Sequence, residues 1–290
     1  MIVPKGLSAF PITPCTPDGQ VIETDLRRIL GRLTAARVQS IGLLGSTGTY
    51  MYLTPQERRR TLDIGLDAAG DIPVVAGIGA LRTDAAVGYA RDAKAAGAKA
   101  GLLAAVSYAP LNPDEVFEHF AAVARESGLP IVIYDNPAAS HFHFSPELIA
   151  RLAQVPGIKA IKNPGGDAIA PHLATQRSSL PADFSIGYSG DWFCAEAMIA
   201  GADTWFSVLG GILPEACLKI TTAARTDPGE ARRLNAALEP LWVQFRKHGG
   251  LRVVYAIANM LGLTDAAPPR PILPIPEADR QTLATVLAGL

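Results

Sequence analysis

The chain has 290 residues, of which 49% are hydrophobic and 18% charged, with a formal net charge of -1. So small a charged fraction in so apolar a chain excludes a disordered protein and calls for a large buried core or an oligomer. With 26 basic and 27 acidic residues, the balance argues against a nucleic-acid partner, whose phosphates demand a basic surface.

Three cysteines, Cys15, Cys194 and Cys217, stand far apart, with no CxxC pair and no zinc spacing. The first ten residues lack a charged segment followed by an apolar one, so no signal peptide is expected. No apolar run of about 18 residues free of charge and proline occurs, so no membrane contact is expected. The reading is a reduced, soluble, cytoplasmic protein.

Short β-type runs alternate with helical stretches of about 10–15 residues, the pattern of βα units around a parallel sheet. The first run, Gly6–Thr13, precedes a helix near Asp25–Ala36. The second, Ser40–Gly45, leads through a polar loop to Thr54-Pro55-Gln56-Glu57, which reads as a capping box with proline at the first helical position. The third is Pro73–Ile78, with a helix opening after Thr83. Ala100–Val106 and Pro130–Tyr134 follow, their helices opened by Asn112-Pro113 and Ser145-Pro146. The sixth is Gly157–Lys162, then a helix near Asp167–Gln176. Phe184–Tyr188 precedes a helix near Asp191–Ala200, and Thr204–Val208 one opened by Pro214. Eight such units in about 220 residues predict an α/β fold, a (β/α)8 TIM barrel. A doubly wound sheet fits less well, since no GxGxxG follows the first run. The reading divides the chain into a barrel over residues 1–225 and a C-terminal helical extension over 226–290, packed on it.

Barrels place their chemistry at the C-terminal ends of the strands. Strand two ends in Gly45-Ser46-Thr47-Gly48-Thr49. Glycines let backbone N–H groups approach an anion such as a carboxylate, and the hydroxyls of Ser46 and Thr47 can donate to it. A plain tight turn would use the same residues. Strand five ends in Tyr134-Asp135-Asn136-Pro137, where a phenol can pass protons or simply pack at the rim. Strand six carries two lysines. Alternation puts Ile158, Ala160 and Lys162 on one face and Lys159 on the other, facing the helices, where it can reach water. An inward amine at a strand end, held among apolar groups, is a nucleophile toward a carbonyl. Amine, phenol and hydroxyl pair together match the needs of a 2-oxo acid, whose imine with lysine is an electron sink.

With these residues in view, the chain resembles the dihydrodipicolinate synthase / N-acetylneuraminate lyase family of Schiff-base (class I) aldolases. The family pattern of Gly-Ser/Thr-Thr-Gly-Glu, Tyr-Asn-x-Pro and Gly-x-Lys reads here as Gly45 to Thr49, Tyr134 to Pro137 and Ala160-Ile161-Lys162. Ala9 to Pro14, Ser189-Gly190-Asp191 and Gly201-Ala202-Asp203 also fit. The resemblance implies a lyase in which Lys162 forms an imine with pyruvate or another 2-oxo acid, with no cofactor and no metal. Tyr134 is then the proton shuttle, Ser46 and Thr47 hold the carboxylate, and Ser46 joins the proton relay. Phe206 takes the position whose carbonyl faces the site. An aldehyde is the implied second substrate, and a homo-oligomer, dimer or tetramer, the implied assembly.

Departures from the pattern bear on the substrate. The closing Glu is Thr49, the second tyrosine's position holds Pro110 with Tyr108 two residues early, and the arginine that binds the aldehyde's carboxylate is Ala139. The Asn and Glu of the family's lysine-feedback pocket are Leu81 and Ala85. These changes weigh against a lysine-pathway synthase. In Ser140-His141-Phe142-His143-Phe144, His141 is the expected second-substrate contact; as an HxH pair with His143 it lacks a third metal ligand. Asp191 reads as a helix cap, and Trp192, Phe193 and Trp205 as packing. Two other functions stay open: a 2-oxo sugar acid dehydratase or deaminase working through the same imine, and a non-catalytic 2-oxo acid binding protein.

Overall fold

The computed structural model of the protein describes residues 5–289. Eight parallel strands pair in chain order and close into a barrel. They are β1 (Gly6–Ala9), β2 (Ser40–Leu43), β3 (Val74–Gly77), β4 (Ala100–Ala104), β5 (Ile131–Tyr134), β6 (Ile158–Asn163), β7 (Ser185–Tyr188) and β8 (Thr204–Ser207). β1 closes on β8 with Gly6 opposite Thr204. The expected TIM barrel is therefore present, with strands mostly shorter than their apolar runs. Residues such as Pro11–Thr13 continue the apolar run beyond β1 without pairing in the ladder.

The helices that coat the barrel are α1 (Glu23–Ala36), α2 (Pro55–Ala69), α3 (Thr83–Ala96), α4 (Pro113–Ser127), the single turn α5 (Pro137–Ser140), α6 (Pro146–Ala153), α7 (Ile169–Ser179), α8 (Cys194–Ile199) and α9 (Pro214–Thr226). The expected capping box at α2 is half built. Thr54 accepts from the Glu57 N–H at 3.2 Å, but the Glu57 carboxylate turns away to accept from the Val21 N–H at 2.9 Å. The complete box is at α4, where Asn112 and Glu115 cap reciprocally. The helix read at Asp191–Ala200 is a 3-10 turn over Asp191–Phe193 followed by α8.

Period-two alternation splits the core in two. One cluster, between strands and helices, is large. The other fills the barrel: Val75, Leu102, Val132, Ala160, Phe10 and Phe206 are among its members. Phe10 fits because Gly42 has no side chain; a Cβ there would lie 2.2 Å from the Phe10 ring. Gly187 makes room for Phe206 in the same way, with 2.5 Å to its ring. The two rings meet edge to face, centroids 6.0 Å apart.

Four further helices follow: α10 (Pro228–Ala237), α11 (Glu239–His248), α12 (Gly250–Met260) and α13 (Glu277–Ala288). They rest on the barrel through buried Leu241 and Trp242 and through polar ties. Arg28 donates to the Leu263 carbonyl at 2.8 Å, Thr264 to Asp25 at 2.7 Å, and the Tyr255 hydroxyl to the Thr13 carbonyl at 3.1 Å.

Candidate active site

Strand pairing decides which side chains meet. In the β5–β6 ladder Tyr134 stands opposite Lys162, and on the other side Lys162 stands opposite Gly187. Lys162 is 4% exposed, which removes the reading of a solvated surface charge. Its Nζ lies 4.1 Å from the centre of the Tyr134 ring, 4.3 Å from Phe10 and 5.8 Å from Phe206. An ammonium surrounded by ring faces gains cation–π attraction while staying out of water. Lys159, by contrast, reaches outward to Asp183 at 3.3 Å, on the opposite face as alternation requires.

The Tyr134 hydroxyl is held from two directions. Ser46 donates to it at 3.4 Å from the loop after β2, and Asn136 Nδ2 donates at 3.0 Å from its own strand end. The β2 loop is conformationally strained: Leu44 and Thr49 both have φ of +56°, in the left-handed region unfavourable to residues with a Cβ. Gly77 gives the Leu44 carbonyl room, since a Cβ there would come within 1.6 Å of it. Thr13 holds the loop by donating to the Gly48 carbonyl at 2.8 Å. Thr47, the second hydroxyl of the loop, is buried.

Beside these groups opens a cleft of about 390 Å³, lined by Ser46, Tyr134 and Asn136 on one side and by Tyr50, Arg58 and Tyr89 on the other. Arg58, in the first turn of α2, is buried. It donates to the carbonyls of Gly79 and Gly77, both at 3.1 Å. Its guanidinium lies over the Tyr89 ring at 3.6 Å and the Tyr50 ring at 5.1 Å. Burial pulls its pKa below the usual arginine value and pushes the Tyr50 phenol up to about 12.

The remaining expected residues fall differently. Phe206 is buried, and the group it brings near Lys162 is its ring. His141 follows α5 in an exposed left-handed turn (φ +56°), outside the cleft lining, whereas its neighbours Ala139 and Ser140 are part of it. His143 turns toward Asp135, 3.7 Å away. Burial pushes the Asp135 carboxyl up to about 6, against the pull of His143. Tyr108 is almost fully exposed. Asp191 caps no helix of its own. Its buried carboxylate accepts from Trp205 at 2.8 Å, from Ser207 at 2.6 Å, and from the Val208 and Leu209 N–H groups, bracing the turn after β8. Asn136, Tyr50 and Arg58 escaped the sequence reading. Asn136 lay within a motif already noted, and only the fold brings Tyr50 and Arg58 to the cleft.

A model of the dihydrodipicolinate synthetase family matches residues 3–289. The chain belongs to this family. Among its curated relatives, the 4-hydroxy-tetrahydrodipicolinate synthase of Alcanivorax borkumensis is 33% identical over 283 residues, covering 96% of this chain and 95% of that protein. That of Methylibium petroleiphilum is 32% identical, covering 92% and 91%. Among solved structures, a dihydrodipicolinate synthase of Agrobacterium tumefaciens is 51% identical with a TM-score of 0.96, covering 99% of this chain and 98% of that one. The enzyme of Acinetobacter baumannii, solved with pyruvate, is 27% identical with a TM-score of 0.91, covering 99% and 98%. As a family member, the chain is a lyase of the class I aldolase type.

Proposed function

We propose that the protein joins a 2-oxo acid, pyruvate or a close relative, to an aldehyde, or cleaves the product, through an imine on Lys162. The observation that carries this reading is the buried Lys162 amine beside the ring of Tyr134, whose hydroxyl is held by Ser46 and Asn136. The free amine adds to the C2 carbonyl, and loss of water gives the iminium. Tyr134 gives its proton to the departing hydroxyl, and the phenolate so formed takes one from C3, giving an enamine. The enamine carbon attacks the aldehyde carbon, whose oxygen takes up the proton. Hydrolysis then frees product and amine.

Ser46 and Thr47 hold the 2-oxo acid's carboxylate in this reading, and the chemistry needs no added cofactor. No helix among the described residues is long and apolar enough to cross a membrane; together with the biosynthetic relatives, this supports work in the cytoplasm. An oligomer is supported by the apolar composition.

Incubation with pyruvate and borohydride tests the reading. Mass spectrometry should find one reduced pyruvyl group on Lys162, absent from Lys162→Ala. A panel of 2-oxo acids that leaves Lys162 unmodified overturns it. Product analysis separates carbon–carbon chemistry from loss of water or ammonia by the same imine.

A further inference from the structure

The C-terminal extension reaches the loop after β2 through one side chain. Tyr255, in the middle of α12, is buried. Its hydroxyl donates to the Thr13 carbonyl at 3.1 Å, from 242 residues further along the chain. The Thr13 hydroxyl in turn donates to the Gly48 carbonyl at 2.8 Å. The Thr49 side chain stands beside the same phenol: burial pushes the phenol's pKa up, and the Thr49 hydroxyl pulls it back. One phenol oxygen therefore moors the turn on both sides of Gly48, through Thr13 and at Thr49.

That turn needs mooring. Thr49 sits at φ +56°, a conformation that a residue with a Cβ keeps only where its surroundings enforce it. Its N–H closes the turn onto the Ser46 carbonyl at 3.2 Å, so Thr49 and Ser46 move together. Ser46 has little room to move. It donates to the Tyr134 hydroxyl at 3.4 Å, near the limit of a hydrogen bond, and a slight outward shift of the turn breaks that contact. The Cys15 thiol also reaches the Thr13 carbonyl, at 3.5 Å, but a thiol is a weak donor and does not replace a phenol. The ring of Tyr255 alone would fill its place in the core; the hydroxyl is the part that reaches the turn.

We propose that Tyr255 is a positioning residue for the aldolase chemistry: through Thr13 and Thr49 it fixes the Ser46–Thr49 turn, so that Ser46 stays on the Tyr134 phenol and Thr47 stays in place for the 2-oxo acid. The consequence for substrate rests on the imine reading; the hold on the turn does not. Among the described residues no hydrogen bond joins Tyr255 to Lys162 or Tyr134, so its influence passes through the turn. The extension is then a working part of the site, although no residue of it lines the cleft.

Tyr255→Phe keeps the ring and removes the hydroxyl. Hydrogen–deuterium exchange of the peptide carrying residues 45–49 is read by mass spectrometry on the full, substrate-free protein. The variant should exchange the turn's amides about tenfold faster than the wild type, the worth of one buried hydrogen bond. Borohydride trapping against pyruvate concentration reads the consequence for the site. Half-saturation should rise about tenfold, with the same final adduct on Lys162. Thr264→Val removes a different tie of the extension, the one to Asp25, and controls for general loosening. It should lower the melting temperature and leave both readouts as in the wild type. Unchanged exchange or unchanged half-saturation in Tyr255→Phe overturns the proposal, as does an equal change in Thr264→Val. If Tyr255→Phe does not fold by circular dichroism, Thr13→Val, which breaks the bond to Gly48, decides by the same two readouts. If no 2-oxo acid leaves an adduct on the wild type, the imine reading fails separately, and exchange still decides the hold on the turn.

Discussion

Asn136 donates its side-chain N–H to the phenol oxygen of Tyr134 at 3.0 Å, from two residues further along the same chain. A donor placed there stabilises that oxygen when it has given up its proton. Asn136→Ala, which removes it, should slow turnover about tenfold, the worth of one hydrogen bond to a developing charge. Steady-state kinetics with the best 2-oxo acid checks this. The lysine adduct should still form, because no hydrogen bond joins Asn136 to Lys162 among the described residues.

Tyr134→Phe keeps the ring under Lys162 and removes the hydroxyl. Imine trapping by borohydride should persist, while exchange of the pyruvate methyl protons with deuterated water should fall by about a hundredfold or more. Proton NMR of pyruvate follows the exchange directly. Equal loss of trapping and exchange would mean that the phenol serves imine formation and not the proton.

Gly42→Ala sets a methyl group against the Phe10 ring, 2.2 Å from its nearest atom. The barrel interior has no free volume there, so overpacking should cost about 1–3 kcal/mol. Denaturant titration measures it. The same change should disturb Lys162, since Phe10 is one of the rings around its amine.

Asp135 gives the pH dependence a sign. Its folded pKa, about 6, lies above its ordinary value of 3.8 because burial penalises the carboxylate. An acid whose pKa is raised by folding contributes stability that is complete below its unfolded pKa and is lost as pH rises through the folded one. Stability should therefore decline between about pH 4 and pH 6. Asp135→Asn should flatten that stretch of the profile, read as melting temperature against pH.

Much of this was legible in the chain. Lys162 and Tyr134 declare themselves because strand alternation is local: a lysine and a tyrosine close two apolar runs, and neighbouring runs become neighbouring strands. Arg58 did not declare itself. It sits in a helix start rich in arginine, where Arg59 and Arg60 reach exposed acids and Arg58 alone turns inward onto the carbonyls of Gly77, which ends β3, and Gly79, just beyond it. Which of three adjacent arginines is buried depends on how α2 lies on the barrel, a long-range fact. His141 illustrates the converse. Its place in the sequence is right for a substrate contact, but the single turn α5 ends in a left-handed residue that directs the histidine to solvent. Asp191 read as a helix cap because it precedes a helix, while its actual partners lie 14 to 18 residues later.

The paired rings of Phe10 and Phe206 close the barrel beneath Lys162. With Tyr134 they set three ring faces around the amine. On the proposed imine chemistry, whatever reacts with Lys162 must fit among those faces, so aromatic side chains rather than hydrogen-bonding groups set the shape allowed to the carbonyl end.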